Sequence, residues 1–292
     1  FSKGMKKITY ICIALSVVLS SCNKKETLDP QSVIHDDTDT PTALDTYIRN
    51  EYINPYNIEV NYKYVDINYE LGRYLYPPTE SKVQPFLEMI KYVWLGAYQQ
   101  VAGTTFVSQV APRQISLNGG RNLDPQRNPE TYLFEETLGQ ADNGAKITIA
   151  RVDYYDPAHP DEDNIRHIIH TIQHEYCHII NQHKPFAPEF GKITPDDYSS
   201  SWHGKTTAQA NALGFITNYA AANPFEDFAE MTSHMLMKSK AQWDAALNAM
   251  PEKGKVALKK KEAFIVEYFR AEWGIDFYQL QRVAYQRMQN YL

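Results

Sequence analysis

The run His174-Glu175-Tyr176-Cys177-His178 sets two imidazoles one helical turn apart with a carboxylate beside them. Residues at i and i+4 of an α-helix share a face, so both rings can reach one ion. Imidazole suits zinc, and His-Glu-x-x-His on a helix is the arrangement in which a metal-activated water attacks a substrate. In that chemistry the glutamate does not bind the metal. Glu175 takes a proton from the water and hands it to the leaving group.

These residues need a helix, and the surrounding pattern predicts one over 162–183. At about 100° per residue, His167, His170, His174 and His178 fall on one stripe about 80° wide. Ile165, Ile168, Ile172, Tyr176, Ile179 and Ile180 fall on the opposite side. The apolar side packs into a core and the histidine side faces something polar. His170 is placed either to touch the site or to sit on the polar face, and His167 is a polar-face residue. Cys177 reads as a small buried hydrophobe rather than a reactive thiol.

A catalytic zinc takes three protein ligands and keeps a fourth position open. His183 does not complete the metzincin pattern, because Asn181 and Lys184 stand where glycine and histidine are needed. A later segment, Asn223-Pro224-Phe225-Glu226-Asp227-Phe228-Ala229-Glu230, offers acids instead. Asn223-Pro224 marks a helix start. Glu226 and Glu230 are then four apart on one face, and either can be the third ligand. Two acids in an opening turn also suit the helix dipole without any metal.

The pair of motifs, His-Glu-x-x-His and a later Tyr219…Glu226-x-Phe228-Ala229-Glu230, resembles the gluzincins of the anthrax lethal factor type. The resemblance covers about residues 145–240. It implies a zincin-like domain with one Zn2+ per chain, held by His174, His178 and Glu226. It makes Glu175 the general base and acid, Tyr219 the oxyanion donor, and Glu230 the carboxylate that orients a ligand histidine. The competing assignment exchanges Glu226 and Glu230.

Upstream, Met5-Lys6-Lys7, an apolar run from Ile8 to Leu19 and then Leu19-Ser20-Ser21-Cys22 read as a signal peptide over 1–22. The run is shorter than the roughly 20 residues a membrane span needs. Leu-Ser-Ser-Cys resembles the bacterial lipobox, which implies lipidation of Cys22. Residues 23–42 are polar and aperiodic, as in a flexible tether. Residues 43–292 are then one catalytic domain. With its leader, the whole chain is similar to zinc metallopeptidase lipoproteins of Gram-negative bacteria. That similarity implies a lipid-anchored place in the cell envelope, in the outer membrane, beside an outer-membrane nutrient importer.

The expected fold class is α+β: a small mixed sheet, the active-site helix and a mainly helical C-terminal half. Strands are expected at 58–67, 104–110, 113–120, 131–136 and 146–152. Helices are expected at 81–103, with Ser81 as N-cap, and at 162–183, 206–221, 226–239, 241–250, 253–270 and 276–291. Asn143-Gly144 precedes the 146–152 strand as a turn. That strand is expected to be the sheet edge to which a peptide substrate adds.

Bulk composition is that of a globular protein, with 43% hydrophobic and 22% charged residues. The net charge of −6 argues against nucleic acid as a partner. Three cysteines do not make a disulfide framework. Two kinds of function fit: zinc hydrolysis, of a peptide or protein or of a non-peptide amide, or a binding lipoprotein whose zinc is not catalytic and whose tyrosine-rich surface captures a glycan or peptide for import. Glu175 favours the first, because a structural site needs no base.

Overall fold

The computed structural model describes residues 40–63, 75–127, 134–136, 139–142 and 146–292. The expected leader with Cys22, the tether up to residue 39, the Asn143-Gly144 turn and residues 64–67 of the first strand lie outside them. Thr42–Leu292 form one compact unit.

Within this unit α1 (Ala43–Ile48) starts from a capping box in which Thr42 and Asp45 bond each other's backbone. It runs on through wider turns to Tyr56 and stops at Asn57, which is left-handed. Strand β1 (Glu59–Asn61) follows. Helix α2 covers Glu80–Ile90, a π-helical segment Lys91–Leu95, and Gly96–Val110. Its N-cap is Thr79 rather than Ser81. The expected strand over 104–110 is helical instead. Gly103, at φ 88°, interrupts the helix where the expected one ends, but the chain resumes it. Phe106, Val107 and Val110 are buried, and helical spacing buries them as strand alternation would not.

The sheet contains β1, β2 (Gln114–Leu117), β5 (Gly139–Asp142) and β6 (Lys146–Ile149), in the order β1-β2-β6-β5. β1, β2 and β6 are parallel and β5 is antiparallel to β6. Val60, Ile115 and Ile147 stand in register across three strands. A separate antiparallel pair joins β3 (Leu123–Arg127) to β4 (Phe134–Glu136). The strand at 146–149 is therefore not an edge, as its sequence suggested. Ile147 and Ile149 are buried in a strand bonded on both sides, and β5 forms the edge.

From here the chain is helical: α3 (Glu162–His183), α4 (Thr207–Leu213), α5 (Pro224–Leu236), α6 (Lys240–Asn248), α7 (Glu252–Trp273) and α8 (Phe277–Gln289). The architecture is α+β, mostly helical with a small mixed sheet. Helix α3 has the expected ends, and Asp161 caps it by accepting from Asn164 N–H. Its apolar face enters the core. There Tyr176 meets Trp94 and Tyr98 edge to face at 5.1 and 4.9 Å. The other side of α3 packs along α5. The expected helix over 206–221 is instead α4, a left-handed Gly214, a loop and a 3-10 turn Tyr219–Ala221. Glycine pays no Cβ penalty at the φ of 98° that ends α4.

A buried ion pair fixes this loop to the helices. Lys261 of α7 lies 2.6 Å from Asp227 of α5 and donates to the Gly214 carbonyl at 2.6 Å. Tyr198 donates to the same Asp227 oxygen at 2.7 Å. Burial raises Asp227 to about 6 despite the lysine. With neither charge reaching solvent, loss of one partner would strand the other. The pair thus holds α5, α7 and the 214–219 loop in one arrangement.

Candidate metal centre

Helix α5 begins where Asn223 accepts from the N–H groups of Phe225 and Glu226, with Pro224 in the first turn. This cap aims Glu226 across at α3. Nε2 of His174 lies 3.0 Å from Nε2 of His178 and 3.0 Å from Glu226 Oε2. The third side, His178 Nε2 to Glu226 Oε2, is 3.3 Å. Tetrahedral zinc with bonds of about 2.1 Å separates its ligand atoms by about 3.4 Å. The three donors thus already stand within about 0.4 Å of the spacing one small ion requires. Two nitrogens and a carboxylate oxygen also suit zinc chemically.

Glu230 meets the other side of the His174 ring. Its Oε1 lies 2.9 Å from His174 Nδ1, so an Nδ1–H donated there leaves the Nε2 lone pair for a metal. Thr217 Oγ1 donates to Glu230 Oε2 at 2.7 Å and accepts from Ala220 N–H at 3.1 Å. Through Thr217 the carboxylate that orients His174 is tied to the 3-10 turn bearing Tyr219. The Tyr219 ring stacks on His174 at 5.8 Å and meets Trp202 edge to face at 4.9 Å. His170 reaches the network as well, with Nε2 3.2 Å from Glu230 Oε1.

Glu175 is buried on α3 beside these groups, and its charge raises the pKa of both His174 and Tyr219. His178 and Glu226 side chains are 17% and 20% exposed, against 6% and 5% for His174 and Glu230. The cluster therefore opens to solvent on the His178–Glu226 side. Cys177 is buried, and burial pushes its thiol up to about 12.

The structure thus brings His174, His178, Glu226, Glu230, Glu175 and Tyr219 together, while Cys22 lies outside the described residues. Sequence reasoning did not find Thr217, Trp202 or His234. Thr217 and Trp202 sit in irregular loops that no periodicity marks. His234 lies one turn after Glu230, so the spacing that picked out Glu226 and Glu230 also marks it.

Burial would lower His174, but hydrogen bonds to Glu226 and Glu230 outweigh it and raise the ring to about 10. Burial would raise Glu230, yet the imidazoles of His170, His174 and His234 hold it well below the carboxylate range. Burial and the Glu226 carboxylate raise Tyr219, keeping its hydroxyl protonated and able to donate. The metal-free fold gains His174's charge interactions fully below its ordinary pKa of 6.5 and loses them as pH rises through about 10. A metal on Nε2 has to displace that proton. Zinc uptake near pH 7 is expected to release about one proton from His174, and affinity to rise with pH. Calorimetry in buffers of different ionisation enthalpy measures this; uptake without proton release would contradict it.

A sequence profile for a family described as "Putative zinc-binding metallo-peptidase" matches residues 37–278. The fold is similar to a crystal structure described as a putative zinc-binding metallo-peptidase from Bacteroides caccae. That chain is 26% identical, with a TM-score of 0.69 over 89% of this chain and 96% of the other. No curated protein matches.

Proposed function

The chain belongs to the "putative zinc-binding metallo-peptidase" family, and on that premise we propose that it is a gluzincin-type peptidase whose one catalytic zinc is held by His174, His178 and Glu226. The observation that carries this reading is the 3.0, 3.0 and 3.3 Å triangle of donor atoms, with Glu230 on the far nitrogen of His174. Glu226 is thereby preferred to Glu230 as the ligand.

Zinc bound there would supply Lewis-acid activation of water and of an acyl oxygen. Glu175 takes the proton from the attacking water and passes it to the departing amine. Tyr219 donates its hydroxyl hydrogen to the oxyanion of the tetrahedral intermediate. Glu230, held by Thr217, keeps His174 in the tautomer that leaves Nε2 free. An extended peptide adds to the edge strand β5, in place of the 146–149 strand, and backbone hydrogen bonds align it.

Tyr219→Phe keeps the ring and its stacking on His174 but removes the donor. Peptide turnover is expected to fall about 10²–10³-fold with zinc content unchanged. An unaltered rate would remove Tyr219 from the reaction.

The proposal extends to location. Leu19-Ser20-Ser21-Cys22 behind the apolar run of residues 8–19 supports a lipid on Cys22. That lipid would anchor the domain in the Gram-negative outer membrane, beside a nutrient importer. Mass spectrometry of the mature N-terminus is expected to find an acylated Cys22. An unmodified terminus elsewhere would discard the anchor.

A further inference from the structure

The donor triangle recurs, in looser form, one helical turn along the same two helices. His170 lies one turn before His174 on α3, and His234 one turn after Glu230 on α5. Pairing of His174 and His178 with Glu226, and of His170 with Glu230, makes the helices antiparallel, so their steps coincide. Nε2 of His170 stands 3.2 Å from Glu230 Oε1, and Nε2 of His234 stands 3.6 Å from Glu230 Oε2. The two rings meet edge to face at 4.9 Å. One donor atom from each of the three residues lies within 4.8 Å of the other two.

Both imidazoles draw on the charge of Glu230, yet neither contact is a well-aligned hydrogen bond. Nε2 of His170 is buried without a hydrogen-bond partner, so its approach to the carboxylate lacks the alignment of a hydrogen bond. The 3.6 Å separation at His234 is too long for one. Two imidazole nitrogens therefore converge on one buried carboxylate without an aligned hydrogen bond from either.

We propose that His170, Glu230 and His234 form a second site for a divalent transition metal, sharing Glu230 with His174. Two imidazoles and a carboxylate favour zinc, cobalt(II) or copper(II) over magnesium or calcium. The separations of 3.2 and 3.6 Å bracket the edge of about 3.4 Å that tetrahedral zinc sets. Glu230 has the acceptor capacity. Each of its oxygens carries one bond from His174 or Thr217, and a carboxylate oxygen accepts two. The His170 and His234 side chains are 21% and 26% exposed, which gives an ion a way in. A metal on Nε2 of His234 places the ring hydrogen on Nδ1. Lys238, whose Nζ lies 3.4 Å from that Nδ1, then has to turn out to solvent, which makes this site the weaker of the two.

The site stands whether or not the first one hydrolyses peptides, and metal counting tests it without an activity assay. Metal-stripped full chain is titrated with cobalt(II), whose visible absorption reports each tetrahedral site, and with zinc by equilibrium dialysis. The parent is expected to bind about two equivalents, the second at least about tenfold more weakly. His170→Leu and His234→Leu are each expected to bind about one. The retained equivalent shows that the variant is folded, and Asn at the same position replaces any leucine variant that does not fold. Saturation of the parent at one equivalent would overturn the proposal. So would a second equivalent that survives both substitutions, since that ion would be adventitious.

Discussion

Purified Glu226→Ala is expected to lose the tightly held zinc, whereas Glu230→Ala keeps it with affinity weakened about 10–100-fold. The two carboxylates lie one turn apart on α5 and both touch His174, so composition cannot separate them. Geometry does. Glu226 Oε2 completes a triangle with two Nε2 atoms, and Glu230 Oε1 sits on Nδ1 of the same ring. Removing Glu226 leaves two protein ligands where a catalytic zinc takes three. Removing Glu230 leaves all three donors and loosens one ring. His174→Ala and His178→Ala should follow Glu226→Ala. Zinc-to-protein ratios after dialysis against a weak chelator measure the ranking, and the reverse order would hand the ligand role to Glu230.

The second large effect is chemical rather than structural. Glu175→Gln is expected to cost about 10²–10⁴-fold in turnover, the range for removing a general base, with zinc occupancy and folding nearly unchanged. Gln has the size of Glu but cannot take a proton from water at neutral pH. Glu175 is outside the donor triangle, so the metal has no reason to leave. Circular dichroism and metal content on the same sample separate this loss from misfolding. A variant at full zinc that turns over peptide at the parent's rate would assign the proton transfer to another group.

The metal helix was the most legible part of the chain. Its apolar and histidine stripes repeat with the helical period over six turns, so its extent over 162–183 follows from sequence, and Asp161 caps its start. Glu226 and Glu230 were legible for the same reason, behind the Asn223-Pro224 start. The edge strand was not. Gly139-Gln140-Ala141-Asp142 has neither alternation nor β-branched residues, and it is a strand because β6 offers it bonds. Residues 104–110 failed in the opposite sense. Thr104, Thr105, Val107 and Val110 favour strand locally, while the burial of Phe106 and Val107 against the core holds them helical. Gly214 was visible as a stop signal, yet the expected helix ran through it. Thr217 could not be read at all, since its link to Glu230 spans a loop.

Hydrolysis of peptides by the zinc-loaded chain is tested most directly by one digest. The parent, loaded with zinc and checked for occupancy, is incubated with a peptide library of varied sequence, and the products are read by mass spectrometry. The same digest is repeated after chelation and again after zinc is restored. Cleavage that stops with the chelator and returns with zinc is the predicted result. A fully zinc-loaded parent that cleaves no peptide would contradict it and leave the metal centre to a binding protein or to hydrolysis of another bond.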